Sequence, residues 1–250
     1  MLKVIYSAAR RFKRRNRFPF LRLLINSMYY DPRTIILRTS NFDFVEVDGC
    51  QFCVSDQIDS VQRVYGNPWF ANMRSDDVAL DIGANIGAIT VPLARVVRKV
   101  YAVEPLFTEE LEQNIVLNRL NNVQIMRCGV GRDRGEQHYE FSSKQGTAPS
   151  IPFNTLMTRV GKIDFIKIDG EGCEWSIRPE QLKGIREIRI EFHIRRGYRG
   201  RDKQTLDGWL SWLRVEGYRY TLEKGDDTGP CVPFSECLML NATRSGKWES

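Results

Sequence analysis

Histidine is nearly absent from this chain: 250 residues contain only His138 and His193. Chemistry that needs an imidazole near neutral pH therefore has two places to reside. No uninterrupted apolar stretch of about 18 residues occurs, so no transmembrane helix is predicted, and the N-terminus lacks the apolar core and small-residue cleavage site of a secretory signal. Both absences point to the cytoplasm. There is no repeat or low-complexity segment, and no second Cys-x-x-Cys accompanies Cys50-x-x-Cys53. That pair lies in a run alternating around Asp48-Gly49, a hairpin signal, and residues three apart on a strand face opposite ways. The six cysteines, Cys50, Cys53, Cys128, Cys173, Cys231 and Cys237, are accordingly read as reduced thiols, with no metal expected.

Acidic residues are missing from the first thirty positions. Lys3, Arg10, Arg11, Lys13, Arg14, Arg15, Arg17 and Arg22 all precede Asp31. Without these eight, 29 basic residues face 31 acidic ones, so the net charge of +6 belongs to the N-terminal segment. Interleaved Phe12, Phe18, Phe20, Leu21, Leu23 and Leu24 make it amphipathic. Three uses fit: a helix packed on its own domain, peripheral association of residues 1–30 with the inner face of an anionic membrane, or RNA binding.

Residues 1–33 form this basic segment, 34–75 a β-hairpin and cap region, and 76–250 the main domain. In the main domain strands and helices alternate. Strands are expected over 78–82, 100–103, 123–128, 163–168 and 187–192, then a final pair, 218–222 and 236–240. Helices are expected over 86–97, 107–120, 175–183 and 203–216, and a polar hairpin or loop runs to about 150. The pattern predicts a doubly wound, Rossmann-like parallel sheet with helices on both faces and an antiparallel final strand. Ligands of such sheets bind beyond the carboxyl ends of the strands.

The first of those ends carries Asp81-Ile-Gly83-Ala-Asn85-Ile-Gly87 and the second Glu104-Pro105. The turn is D-x-G-x-x-x-G rather than the G-x-G-x-x-G that cradles a pyrophosphate, while Glu104 is placed to accept both ribose hydroxyls of an adenosyl group. Asp81 suits the ammonium of a methionine moiety, directly or through water. The cofactor expected is S-adenosylmethionine, held by Asp81, Gly83, Asn85, Gly87, Glu104, Pro105, Cys128 and Gly129.

A second block, Ile163-Asp-Phe-Ile-Lys-Ile-Asp169-Gly-Glu171-Gly172, and a third, Ile190-Glu-Phe-His193, complete the pattern. With the Asp81 turn and Val103-Glu-Pro105, they make residues 76 to 195 resemble the FkbM family of S-adenosylmethionine-dependent methyltransferases. The resemblance implies a class I methyltransferase sheet and transfer of a methyl group to a hydroxyl of a natural product or sugar. Gly170 departs from the family, which often has an apolar residue there.

Methyl transfer needs alignment, exclusion of water and, for a poorly acidic hydroxyl, a proton acceptor. His193 and Asp169 are the rival bases. Glu171 and Glu174 are candidates for binding a sugar hydroxyl or for capping the next helix. Arg195 and Arg196 are candidates for an anionic group on the acceptor. Lys167 is expected to pair with an acid, and His138 to lie on the surface. The expected acceptor is a small molecule, glycan or glycolipid. An RNA methyltransferase is the competing reading, supported by the N-terminal arginines and Glu112-Gln-Asn-Ile-Val-Leu-Asn118, and a cofactor-binding protein without turnover is a third.

Overall fold

The computed structural model describes residues 44–53, 61, 72–141, 144–194, 203–224 and 236–244. The basic segment 1–33 and the pair Arg195 and Arg196 lie outside these residues, as does most of the cap region.

Strands are numbered in chain order. The hairpin of β1 (Phe44–Val47) and β2 (Cys50–Cys53) comes first. The main sheet follows with β3 (Val78–Ile82), β4 (Lys99–Val103) and β5 (Val123–Met126). After β6 (Gly129–Gly131), β7 (Gly135–Phe141) and β8 (Lys144–Pro152), the main sheet resumes with β9 (Phe165–Ile168), β10 (Glu187–Ile194), β11 (Arg219–Lys224) and β12 (Glu236–Thr243). Its seven strands lie in the order β11-β12-β10-β9-β3-β4-β5. Pairing is parallel from β10 through β5, whereas β12 runs antiparallel to both neighbours. This is the doubly wound, Rossmann-like α/β arrangement expected, with the reversed strand β12 inserted between β10 and β11.

Strand β3 is buried throughout, as is β9, so both read as near-continuous apolar runs rather than alternating ones. The largest core joins Leu80, Ile82, Ile166, Ile168, Ile190 and Phe192 from three central strands with Phe153, Leu156, Trp209 and Leu213 from covering helices. Strand order reverses on either side of β3, so the crevice beyond its carboxyl end is the topological switch point.

Helices α1 (Thr90–Ala94), α2 (Thr108–Leu117), α3 (Phe153–Val160) and α4 (Lys203–Val215) cover the sheet. Four sequence expectations need correction. The helix expected over 86–97 is only α1, because Asn85 and Gly87 both hold positive φ, 51° and 91°, and helical backbone begins after them. The helix expected over 175–183 is two 3₁₀ turns, Cys173–Ser176 and Pro179–Leu182. Proline has no N–H to donate and forces the residue before it out of the helical region, and Arg178 is extended at φ −90°, ψ 139°. Helix α3 was not anticipated, although Phe153, Leu156 and Val160 share one face and Gly161 ends it at φ 74°. The polar region before it is a three-stranded sheet, β6-β8-β7, rather than a hairpin alone.

The hairpin turn at Asp48-Gly49 forms as expected, with φ 48° and 74°. On β2, Cys50 shares the buried face with Phe52 while Cys53 lies with the half-buried Gln51, so the two thiols point apart. Val47, Cys50 and Phe52 bury against Ile86, Val91 and Phe107, which attaches the hairpin to the flank of the switch-point crevice.

Candidate functional site

A cavity of about 460 Å³ opens beyond the strand ends, within the range of small-molecule sites. Gly83, Asn85, Glu104, Pro105, Cys128, Gly129, Asp169 and Glu171 all line it. The structure therefore gathers eight of the residues singled out from sequence into one space.

The turn after β3 is shaped by close approach. Gly83 has φ 76°, and a Cβ built there would sit 1.8 Å from the carbonyl oxygen of Asp169, so bare backbone must pass between two strand ends. The N–H groups of Gly83 and Ala84 both donate to the Val103 carbonyl, and the Asn85 N–H donates to Glu104 Oε2 at 2.8 Å. Glu104 Oε1 accepts from the N–H groups of Leu106 and Phe107 at 2.7 and 3.0 Å. Burial pushes the Glu104 carboxyl up, against the pull of these three N–H donors. A carboxylate has about four acceptor positions. Three are used, two on Oε1 and one on Oε2, and Glu104 lines the cavity.

Two of the sequence candidates stand behind the wall instead of in it. Asp81 is fully buried and does not line the cavity: its Oδ2 accepts from Thr90 Oγ1 at 2.6 Å and its Oδ1 lies 3.4 Å from Lys167 Nζ. The expectation that Asp81 meets a ligand ammonium is corrected accordingly, since its carboxylate turns inward to secure α1 and Lys167. Gly87 is also outside the cavity. A Cβ there would lie 2.8 Å from Leu111, so this glycine serves the packing of the turn on α2.

Lys167, expected to pair with an acid, is a buried hub. Its ammonium donates to the carbonyl oxygens of Gly83 and Ile82 at 2.7 and 3.2 Å and lies 3.5 Å from Asp169 Oδ2. Burial alone would lower its pKa, but the Asp169 and Asp81 charges raise it, so it stays charged. One side chain thus ties the glycine turn to the end of β9.

His193 is the larger correction. It is buried and absent from the cavity lining, its Nδ1 lies 3.0 Å from Glu174 Oε1, and its Nε2 lies 3.5 Å from Glu171 Oε2. Burial opposes its charge, yet the hydrogen bond and charge of Glu174, with Asp169 and Glu171, raise it to about 10. Paired with Glu174 and standing behind the cavity lining, His193 does not have the placement expected of the base. Glu174 is corrected with it. Fully buried and outside the cavity, it accepts from the N–H groups of His193 and Gly172, both at 2.9 Å. The second bond is at the residue opening the first 3₁₀ turn, close to the capping alternative weighed for it.

Asp169 and Glu171 remain at the cavity, and Glu171 adopts φ 54°. Together with His193 they bring ligand-type atoms within 4.8 Å of one another. The Lys167 ammonium beside Asp169 and the protonated imidazole supply cations to this group from within the protein. Gly170 has a local cause for departing from an apolar residue, because a Cβ there would meet Cys173 Sγ at 2.4 Å.

Residues missed from sequence complete the walls. Tyr139 and Phe141 of β7 line the cavity, and a Cβ on Gly129 would meet the Tyr139 hydroxyl at 2.2 Å, so β7 packs closely over the start of β6 at the cavity wall. Glu191, Glu223, Met239 and Asn241 enter from β10, β11 and β12. Their signal was faint: each lies on a strand whose register with its neighbour decides which residues face the crevice, and register is not written in one strand. His138 is exposed, as expected.

No family model matches the chain. Over 59 residues, 23% of this chain and 22% of the relative, it is 36% identical to a protein from Methanosphaera stadtmanae described as a probable ribosomal RNA small subunit methyltransferase A. Over 128 residues it is 31% identical to an uncharacterised RNA methyltransferase of Oceanobacillus iheyensis, which covers 48% of this chain and 27% of the relative. The chain thus spans about a quarter of the length of these curated relatives. Among solved structures it is similar to M. jannaschii TYW2 crystallised with AdoMet, at 19% identity and a TM-score of 0.48, covering 81% of this chain and 86% of that one. It is similar also to the methyltransferase FkbM from Methylobacillus flagellatus, at 18% identity and 0.47, covering 70% and 46%.

Proposed function

We propose that this protein is an S-adenosylmethionine-dependent methyltransferase whose donor site is the switch-point cavity. The observation that carries the reading is Glu104, buried at the end of β4 with its charge held by three N–H groups at a position that lines the cavity. That position suits a ribose hydroxyl. Pro105, Cys128 and Gly129 flank it and suit the adenine, while the backbone of Gly83 to Asn85 suits the methionine portion. Asp169 and Glu171 give the far end of the cavity a negative character that fits a ligand carrying an ammonium and a sulfonium. When bound, the cofactor supplies an activated methyl group, so the protein's own work is alignment, exclusion of water and handling of one proton.

Two acceptor classes have support. The names of both curated relatives favour RNA. The carboxylates around the acceptor end favour a hydroxyl of a sugar, glycan or glycolipid, because a phosphate backbone would meet Asp169, Glu171, Glu191 and Glu223. With both relatives named as RNA methyltransferases, RNA is the leading class. The basic residues 1–30, outside the described residues, serve either acceptor: they suit RNA phosphates or the surface of an anionic membrane. Among the described residues no helix is long and apolar enough to cross a membrane.

Calorimetry with S-adenosylmethionine tests the donor site. Glu104→Ala removes a charged acceptor and leaves three N–H groups without their partner, so affinity should fall by about 1.5–3 kcal/mol. Unchanged affinity would remove Glu104 from the site. Transfer of labelled methyl from the cofactor to total RNA, against a glycan and glycolipid extract, assigns the acceptor class.

A further inference from the structure

The sheet register lays out one row of side chains across the crevice. Ile190 pairs with Ile168 and Ile82 also pairs with Ile168, so one residue further along, Glu191, Asp169 and Gly83 stand side by side on three parallel strand ends. Met239 on β12 is opposite Glu191, and Glu223 on β11 is opposite Met239. Register partners point to the same face, and all five residues line the cavity. Gly83 belongs to the donor turn. Moving along the row away from it, Asp169 comes next, then Glu191, so Glu191 stands one strand farther from the donor turn than Asp169.

We propose that Glu191 is the general base of this site, taking the acceptor's proton from its place beside Asp169, two strands from the donor turn. The inference rests on the methyltransferase reading and deepens it. In the step, the acceptor oxygen bonds to the methyl carbon as the methyl–sulfur bond breaks, the electron pair of that bond stays on sulfur, and the acceptor's proton passes to a Glu191 carboxylate oxygen and then to water. A nitrogen acceptor would lose its proton to the same oxygen.

The surroundings tune Glu191 for this work. The groups facing it are Asp169 and Glu171 after β9, Lys167 within β9, His193 two residues along its own strand, Cys237 on β12, and Glu223 and Lys224 on β11. A nitrogen of His193, the Cys237 sulfur and a Glu191 oxygen lie within 4.8 Å of one another. The Asp169 carboxylate, then burial, push Glu191 up to about 8, with Glu171 adding and His193 and Lys167 opposing. Two neighbouring carboxylates that cannot both ionise easily hold one proton between them, and a base poised near the working pH is the most effective one. His193 is excluded from the role by its ion pair with Glu174. Its cation instead limits how far Glu191 rises.

The sign of the pH dependence follows. Glu191 accepts protons only when ionised, so the rate should climb as pH rises through about 8. Asp169→Asn removes the largest cause of the raised value and should move that midpoint down. Glu191→Gln should abolish the limb and slow transfer by about 100- to 10,000-fold while cofactor affinity stays near that of the native protein. Infrared titration without cofactor gives a readout independent of turnover: the carboxylic acid band assigned by difference to Glu191 should vanish near pH 8, and at lower pH in Asp169→Asn. Native rate and an unmoved pH limb in Glu191→Gln, with transfer intact, would overturn the assignment and leave the methyltransferase reading standing. An infrared band that vanishes below pH 6 would overturn it as well. Failure of the native protein to bind S-adenosylmethionine would remove the underlying reading, and this role with it.

Discussion

At the scale of single residues, the decisive fact is that charge is buried beside the site in linked pairs. Lys167 lies within reach of two carboxylates and two carbonyl oxygens, and Asp81 has no other cation near its buried Oδ1 among the described residues. Removing one partner of a buried pair leaves the other's charge uncompensated, at a cost of about 3–5 kcal/mol. Lys167→Met should therefore destabilise the protein by that order in urea denaturation. Adding Asp81→Asn should recover part of the loss, because the stranded charge is then gone. A loss under about 1 kcal/mol would mean that Lys167 is not the hub described. The same residues show what a sequence can and cannot disclose. Glu104 and Asp169 follow apolar strands in motifs with fixed spacing, so their places at strand ends were legible. Asp81 and His193 occur in equally clear motifs, yet each side chain turns away from the crevice. A motif fixes where the backbone goes. Which way a charged side chain points depends on partners such as Thr90 and Glu174, supplied by distant segments.

Between elements, two asparagines one turn apart, Asn114 on α2 and Asn118 at its C-terminal cap, clamp the hairpin. Asn114 Oδ1 accepts from the Cys53 N–H at 2.7 Å while its Nδ2 donates to the Ile86 carbonyl. Asn118 Oδ1 accepts from the Gln51 N–H at 2.8 Å and its Nδ2 donates to the Gln51 carbonyl. The two amides imitate an adjacent strand along β2, satisfying backbone groups that a sheet edge would leave open. Asn114 also reaches the turn between β3 and α1, so the hairpin and the cofactor turn share one anchor. Asn114→Ala should cost about 1–3 kcal/mol, since a buried donor and a buried acceptor both lose their partner. Hydrogen exchange should quicken at Cys53 first, and at Gln51 in Asn118→Ala. Protection unchanged at both amides would show that apolar packing alone holds the hairpin. Here sequence reasoning reached halfway. Alternation around Asp48-Gly49 revealed the hairpin, but nothing in a short strand names the helix on which it will dock. Helix α3 failed for another reason: its apolar spacing and terminal glycine were present, but it follows a polar stretch whose strands β7 and β8 show little apolar alternation.

For the molecule as a whole, the acid-rich crevice sets how stability responds to pH. Glu191 is raised to about 8 in the folded protein from an ordinary 4.5, so its contribution is fully present below about 4.5 and is lost as pH rises to 8. His193 is raised to about 10 from 6.5, so the stability of its pair with Glu174 is present below 6.5 and is lost as pH climbs through 10. Both shifts have the same sign: protons are held more tightly by the folded chain than by the unfolded one. Stability should accordingly decline from pH 6.5 to pH 10. Thermal unfolding across that range should show Tm falling, and Glu191→Gln should flatten the portion below pH 8 by removing a group whose ionisation the fold opposes. At pH 9 the variant should therefore be more stable than the native protein, while at pH 5 the two should nearly coincide. A base held at raised pKa destabilises its own fold at the pH where it works, as expected of a functional group kept against stability. A native Tm that is level from pH 6.5 to 10, with Glu191→Gln no more stable at pH 9, would mean that the crevice carboxylates ionise freely and that solvent reaches them.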